Sequence, residues 1–200
     1  MAAVPAPGAA SVGQPDDAPW IGPGSASPPR DLRGWYDYVS TVASRYRGRI
    51  DTYEIGNEPN LRTFWNGTPA QWAAYVAATS VWAATAAVAP YVDVLSIHAY
   101  PTRRTMASMP GLLARTRELL GAVDPERRPA WVTEVNVSDG SGLSGAEQGR
   151  AVRQLTQSVW TAGYERVYWY AWTALGPPNL IPLSSENPAA RALRDEMTGA

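Results

Sequence analysis

Cysteine is absent from this chain of 200 residues, and histidine occurs once, at His98. The absence of cysteine excludes disulfide bonds, thiolate metal sites and cysteine nucleophiles. A single histidine excludes a histidine-rich metal centre, and a Ser-His-Asp triad would have to use His98. We therefore expect neither a metal ion nor another cofactor.

Lysine is also missing, so arginine supplies every basic side chain, and the formal net charge is −1. This balance argues against nucleic acid as a partner. No apolar run approaches the roughly 20 residues needed to cross a bilayer, so we expect no membrane partner. The N-terminus lacks the basic and leucine-rich regions of a signal peptide, and the sequence leaves the localisation open.

Phenylalanine occurs once, against nine tryptophans and ten tyrosines. Trp and Tyr combine a flat apolar face with a polar edge, which suits pockets for ring-shaped polar ligands. Core packing explains any single aromatic residue equally well. Composition alone therefore leaves both interpretations open.

Strands alternate with helices along the chain. Apolar runs predict strands at residues 50–56, 92–99, 130–136 and 166–173. Helical spacing and end signals, including the N-cap candidates Asp31 and Thr68, predict helices at residues 31–48, 108–123, 146–162 and 188–197. Residues 70–89 form either one long helix or a broken pair of helices, and their second half, residues 81–89, could instead hold a strand. Helical connections of a dozen residues or more favour parallel βαβ units. Strands that are apolar on both faces favour a sheet covered by helices.

Polar side chains cluster where the predicted strands end. Asn57 and Glu58 follow the first strand. His98 and Tyr100 end the second strand, and Glu134 lies near the end of the third. In a closed β/α barrel the carboxyl ends of the strands form the active-site face. Glu58 and Glu134 are therefore a candidate pair of catalytic carboxyl groups.

These motifs resemble those of the retaining glycoside hydrolases that have a (β/α)8 barrel and two catalytic glutamates. The resemblance is to the xylosidase and iduronidase type (family 39) and to the cellulase-like families of the same clan. Residues 53–60 contain Asn-Glu-Pro, which matches the motif of strand four in that family. Residues 92–101 end in His-Ala-Tyr-Pro, which is similar to the end of the family's strand six. Residues 131–136 carry Thr-Glu, like strand seven, and residues 167–173 resemble strand eight.

The resemblance implies hydrolysis of O-glycosidic bonds in a poly- or oligosaccharide by a retaining, double-displacement mechanism. Glu58 would be the acid/base and Glu134 the nucleophile. Four further residues would bind the carbohydrate substrate or hydrogen-bond the nucleophile: Asn57, His98, Tyr100 and Trp172. Retaining enzymes hold the two carboxyl groups about 5–5.5 Å apart. Members of this family are often secreted.

The chain departs from the family in length, because a (β/α)8 barrel typically takes about 250 residues. We predict an incomplete α/β barrel of the TIM type with about four to five βα units, in which strands one and two are missing. Strand five is either deleted or replaced by residues 81–88. Residues 1–27 are expected to form a flexible lead-in, rich in Pro, Gly and Ala, with a remnant of strand three near Trp20. Residues 28–200 would form the partial barrel.

A partial barrel exposes strand edges and an apolar inner face. The chain could fold poorly, form a homodimer that covers the open face, or close a smaller barrel around Glu58 and Glu134. Its function could be that of a retaining glycosidase. It could instead be a non-catalytic or degenerate fragment that binds carbohydrate through Trp172, Tyr100 and Trp65, or a fragment whose inner face binds another chain.

Overall fold

The computed structural model describes residues 23–80, 93–124, 127–137, 142–170 and 188–198. The chain divides into two compact units, residues 1–92 and 93–200. The predicted remnant of strand three near Trp20 and the possible replacement for strand five at residues 81–88 lie outside the described residues.

Two helices form the framework of the described part of the first unit: α1 (Leu32–Arg45) and α2 (Pro69–Ser80). Both begin at the predicted caps. The Asp31 carboxylate accepts a hydrogen bond of 2.8 Å from a backbone N–H in the first turn of α1. Before α2, the Thr68 N–H donates to the Gln71 side chain at 2.8 Å, and the Gln71 N–H donates back to the Thr68 hydroxyl at 3.2 Å. This reciprocal capping box satisfies two backbone donors at the start of α2.

Aromatic side chains form the core of the first unit. Trp35 and Tyr75 stack with ring centroids 4.3 Å apart, and Trp65 meets Trp72 edge-on at 4.9 Å. Both geometries are favoured because the ring faces are negative and the ring edges positive. Trp65 is only 7% exposed. It therefore packs in a core and does not present its ring to a ligand, contrary to the role considered above for a carbohydrate-binding fragment.

The described residues of the second unit form a three-stranded sheet and three α-helices. In chain order the elements are β1 (Leu95–Ala99), a short 3-10 turn (Met106–Ser108), α3 (Met109–Val123), β2 (Ala130–Val135), α4 (Gly145–Thr161), β3 (Arg166–Trp169) and α5 (Pro188–Thr198). The strands are parallel, in the order β1-β2-β3, and α3 and α4 connect successive neighbours. This confirms the predicted parallel βαβ units. Among the described residues, no helix is long and apolar enough to span a membrane.

The core of the second unit contains one face of the sheet and the apolar sides of the helices. Val132 and Val135 on β2 are fully buried, as are Leu155 and Val159 on α4. The small buried alanines of α5 pack close to α4. The approach is closest at Gly149, where an added Cβ would lie 3.1 Å from the backbone oxygen at the start of α5.

The prediction of a strand at residues 50–56 is wrong. In that segment only Glu54 forms a β-bridge. Gly56 has a φ of 71°, which lies outside the range of a β-strand. A strand also needs a continuous ladder of hydrogen bonds to a neighbour, which a short apolar run does not guarantee. The described residues therefore hold three strands in a sheet, not the four on which the predicted four to five βα units rested.

We expect Gly149→Leu to lower the free energy of unfolding by about 1–3 kcal/mol, because the new side chain would push α5 away from α4. Gly111→Leu is the matched control, since an added Cβ at Gly111 in α3 meets nothing within 4 Å. That control should be neutral or stabilising, because leucine favours helix more than glycine does. Urea denaturation followed by circular dichroism measures both. Equal destabilisation by the two variants would contradict the close approach.

Tyr164 gives a second prediction for this fold. Its side chain is buried, and its hydroxyl donates a 3.2 Å hydrogen bond to the Leu113 carbonyl. Burial raises the pKa of Tyr164 to about 12, against about 10 in an unfolded chain. The folded state therefore disfavours the phenolate. Burial of the neutral Tyr164 side chain stabilises the fold fully below pH 10, and this stabilisation is lost as the pH rises towards 12. The melting temperature of the wild type should fall more steeply over this range than that of Tyr164→Phe. Parallel curves for the two proteins would refute this assignment.

Candidate active site

Three of the predicted site residues meet at the carboxyl ends of β1 and β2. His98 pairs with Glu134 across the two strands, and Tyr100 directly follows β1. The Tyr100 hydroxyl donates to Glu134 Oε2 at 2.7 Å. His98 Nδ1 lies 3.5 Å from the same oxygen. A tyrosine and a histidine thus converge on one carboxylate.

An irregularity in β2 places the Glu134 side chain on the same face of the sheet as His98. Ile97 pairs with Val132, but the next residue of β1, His98, pairs with Glu134, so Thr133 is an extra residue in β2. The register with β3 shifts in the same interval. Strict alternation would put Glu134 on the same side as the buried Val132. The bulge instead turns the Glu134 side chain to the side of His98, and bulges are known to re-aim side chains in this way.

The Glu134 carboxylate is held in place but remains accessible. Its side chain is 24% exposed, and that of His98 is 13% exposed. A hydrogen bond from a neutral hydroxyl to a carboxylate is stronger than one between two neutral groups. The bond from Tyr100 therefore restricts rotation of the carboxylate. A fixed, partly exposed carboxylate can act as a nucleophile or as a base.

Asn57 and Glu58 lie in a tight turn of the first unit. Gly56 has a φ of 71° and Glu58 a φ of 38°, both in the left-handed region. The Glu58 carbonyl accepts a 2.8 Å hydrogen bond from the Leu61 N–H, and both Asn57 and Glu58 are half-buried. A left-handed conformation costs a residue with a side chain about 1–2 kcal/mol. Such strain is common where a backbone holds a functional side chain.

Of the remaining polar residues near the predicted strand ends, Asn136 and Glu54 have structural contacts. Trp172, predicted to stack on a sugar, lies outside the described residues. Asn136 is 2% exposed, and its side-chain oxygen accepts a 2.7 Å hydrogen bond from the Val137 N–H, so it supports the end of β2. Glu54 is the residue that forms the β-bridge in the first unit.

Sequence reasoning assigned no role to Thr133 or Arg103. Nothing in the residues around Thr133 marks it as the extra residue of a bulge. Arg103 lies in the loop after Tyr100 and reaches Glu147 at the start of α4. The sequence does contain Ser144-x-x-Glu147, which is the pattern of a capping box at the start of a helix.

The fold is similar to that of a monomeric beta-xylosidase from Caulobacter crescentus, with a TM-score of 0.65 and 17% sequence identity. The likeness covers 88% of this chain and 48% of the xylosidase, so the chain spans about half the length of that enzyme. Two structures of endo-beta-1,4-mannanases from Thermotoga petrophila align with TM-scores of 0.41 and 0.39, at 14% and 11% identity. They cover 84% of this chain each, and 51% and 40% of the mannanase chains.

No protein-family model and no curated protein matches the sequence. At 17% identity, the likeness to the xylosidase establishes a shared fold. This is a fold on which a glycoside hydrolase is built.

Gly56 should resist substitution more than other glycines with positive φ. An added Cβ at Gly56 would lie 2.5 Å from the Trp72 ring, whereas one at Gly48, with a φ of 74°, would meet nothing within 4 Å. Gly48→Ala should cost about 1 kcal/mol for its backbone conformation alone. Gly56→Ala adds the displacement of a packed ring and should cost about 2–4 kcal/mol in total. Thermal unfolding of both variants tests this, and equal losses would show that Trp72 moves freely.

Proposed function

We propose that this chain hydrolyses O-glycosidic bonds in an oligo- or polysaccharide by a retaining mechanism, with Glu134 as nucleophile and Glu58 as acid/base. The observation that carries the proposal is the Glu134 carboxylate, which the bulge turns towards His98 and which Tyr100 holds by a hydrogen bond. The fold shared with a beta-xylosidase supports the same class of reaction.

In the first step the Glu134 carboxylate attacks the anomeric carbon. The bond from that carbon to the leaving oxygen breaks, and the leaving oxygen takes a proton from the Glu58 carboxyl group. In the second step Glu58 takes a proton from water, and the water oxygen attacks the anomeric carbon and releases Glu134. Two inversions at one carbon retain its configuration.

Tyr100 contributes orientation to this mechanism. Because its hydroxyl binds Oε2 of Glu134, the carboxylate keeps one orientation while its other oxygen attacks the sugar. Fixing the angle of attack in advance removes entropy that would otherwise be lost at the transition state. In this proposal Asn57 binds the 2-hydroxyl of the sugar, His98 hydrogen-bonds the sugar or Glu134, and Trp172 stacks on the sugar face.

The proposed scaffold is an incomplete (β/α)8 barrel formed by residues 28–200. The three parallel strands in sequential order support it, since neighbouring strands of a barrel follow one another along the chain. A homodimer that covers the open face of the sheet stays a prediction. Light scattering over a range of concentrations would test it.

Glu58→Gln and Glu134→Gln should each lower kcat on an aryl β-glycoside by about 10²–10⁴-fold or more, because each removes a carboxyl group that forms or transfers a bond. Glu165→Gln, at an exposed glutamate just before β3, is the control and should keep full activity. Release of 4-nitrophenol from β-xyloside, β-glucoside and β-mannoside substrates measures the rates. Proton NMR of the first product then reports whether the β-configuration is retained.

An activated leaving group separates the two roles. With 2,4-dinitrophenolate as leaving group, Glu58→Gln should still form the glycosyl-enzyme and release one equivalent of phenolate in a burst, whereas Glu134→Gln should not. The proposed function fails if the wild type and both variants share one background rate. Calorimetric binding of an oligosaccharide without turnover would then favour a non-catalytic carbohydrate-binding fragment.

A further inference from the structure

We propose that Arg103 is a positioning residue, which fixes the loop after β1 so that Tyr100 keeps its hydrogen bond to Glu134. The consequence for catalysis rests on the function proposed above. The consequence for the position of Tyr100 follows from the contacts of Arg103 alone.

Arg103 joins the loop after β1 to Gly142 and to the first turn of α4. Its Nε donates to the Gly142 carbonyl at 2.8 Å, and its Nη2 donates to Glu147 Oε2 at 2.6 Å. The planar guanidinium group makes both bonds at once, with a geometry that a lysine ammonium group does not reproduce. The loop after β1 is thereby tied to the start of α4.

The acceptor of Arg103 is itself held rigidly. The Ser144 N–H donates to Glu147 Oε2 at 2.7 Å, as part of the capping box at the start of α4. This hydrogen bond and the nearby Arg103 hold the pKa of Glu147 below its usual value. Glu147 therefore presents a carboxylate to Arg103 at neutral pH, from a helix whose inner side is deeply buried.

The loop that carries Arg103 transmits its position to Tyr100. Within this loop, the Thr102 N–H donates to the Thr105 hydroxyl at 2.8 Å, and the Met106 N–H donates to the Thr102 carbonyl at 2.9 Å, so both bonds span Arg103. Met106 and Pro101 are buried. The loop is thus a compact turn with anchored ends, and only two residues separate Tyr100 from Arg103. A shift of the turn would move the Tyr100 hydroxyl relative to Glu134.

Stability alone does not account for these contacts. The Arg103 side chain is 58% exposed, and exposed ion pairs contribute only about 0–1 kcal/mol. By contrast, a displacement of about 1 Å at a catalytic group can cost up to 10²-fold in rate. Geometry is therefore the property to which Arg103 contributes most.

The test compares Arg103→Gln and Arg103→Lys with Arg115→Gln. Arg115 is the matched control, because it is 68% exposed and pairs with Glu118 at 2.9 Å, with both residues on α3. With 3-fluorotyrosine incorporated, the ¹⁹F signal of Tyr100, assigned by its loss in Tyr100→Phe, should shift in both Arg103 variants towards its position in Glu134→Gln. It should not shift in Arg115→Gln.

On an aryl glycoside, Arg103→Gln should lower kcat about tenfold with KM changed less than twofold, because a misplaced carboxylate slows the chemical step more than it weakens binding. Arg103→Lys should recover little of this loss. An unchanged Tyr100 signal in Arg103→Gln would overturn the proposal, whatever the activity. A shifted signal in a protein without any glycosidase activity would instead overturn the proposed function and leave the positioning role intact.

Discussion

The extra residue in β2 is the constraint on which the candidate site depends. Val132 and Val135 are both fully buried, yet they lie an odd number of positions apart, which strict alternation does not allow for one face of a strand. Full burial of a valine contributes about 1.5–3 kcal/mol, so the core favours keeping both. Thr133 is the extra residue that allows both valines to face the core. As a result Glu134 leaves the core side and joins His98, so that hydrophobic packing sets the direction of a carboxylate.

A series of polar contacts connects Glu134 to the start of α4. Tyr100 binds the carboxylate, Arg103 ties the loop of Tyr100 to Glu147, and Glu147 also receives a backbone N–H at the start of α4. Each bond is a modest contribution to stability by itself. Their common effect is to give the loop after β1 and the start of α4 one relative position, which a reaction at Glu134 would need.

In the first unit the candidate residue Glu58 has an unfavourable backbone conformation next to a packed aromatic core. The left-handed backbone at Gly56 and Glu58 lies beside a tightly packed aromatic core, with the Trp72 ring directly against Gly56. Aromatic pairs of this kind contribute about 0.5–1.5 kcal/mol beyond the area that they bury. Three of the nine tryptophans, together with Tyr75, thus serve packing here.

Helix starts and the grouping of site residues could be predicted from the sequence. Asp31 and Thr68 act within a few residues of their own positions, so the local sequence contains the whole interaction. His98, Tyr100 and Glu134 were expected to lie close together, because parallel strands end at the same edge of a sheet. The strand expected at residues 50–56 was wrong, since pairing with a neighbour decides whether an apolar run becomes a strand.

Only the tertiary structure decided which side of the sheet Glu134 faces. That side depends on the register of β2 against both β1 and β3, and on the burial of two valines that strict alternation would separate. The role of Arg103 likewise depends on Gly142 and Glu147, which are distant in sequence. The sequence by itself determined the chemical groups that are present and the order in which the strands carry them. Their directions were decided by packing between segments far apart in the chain, because register and burial are properties of the assembled sheet.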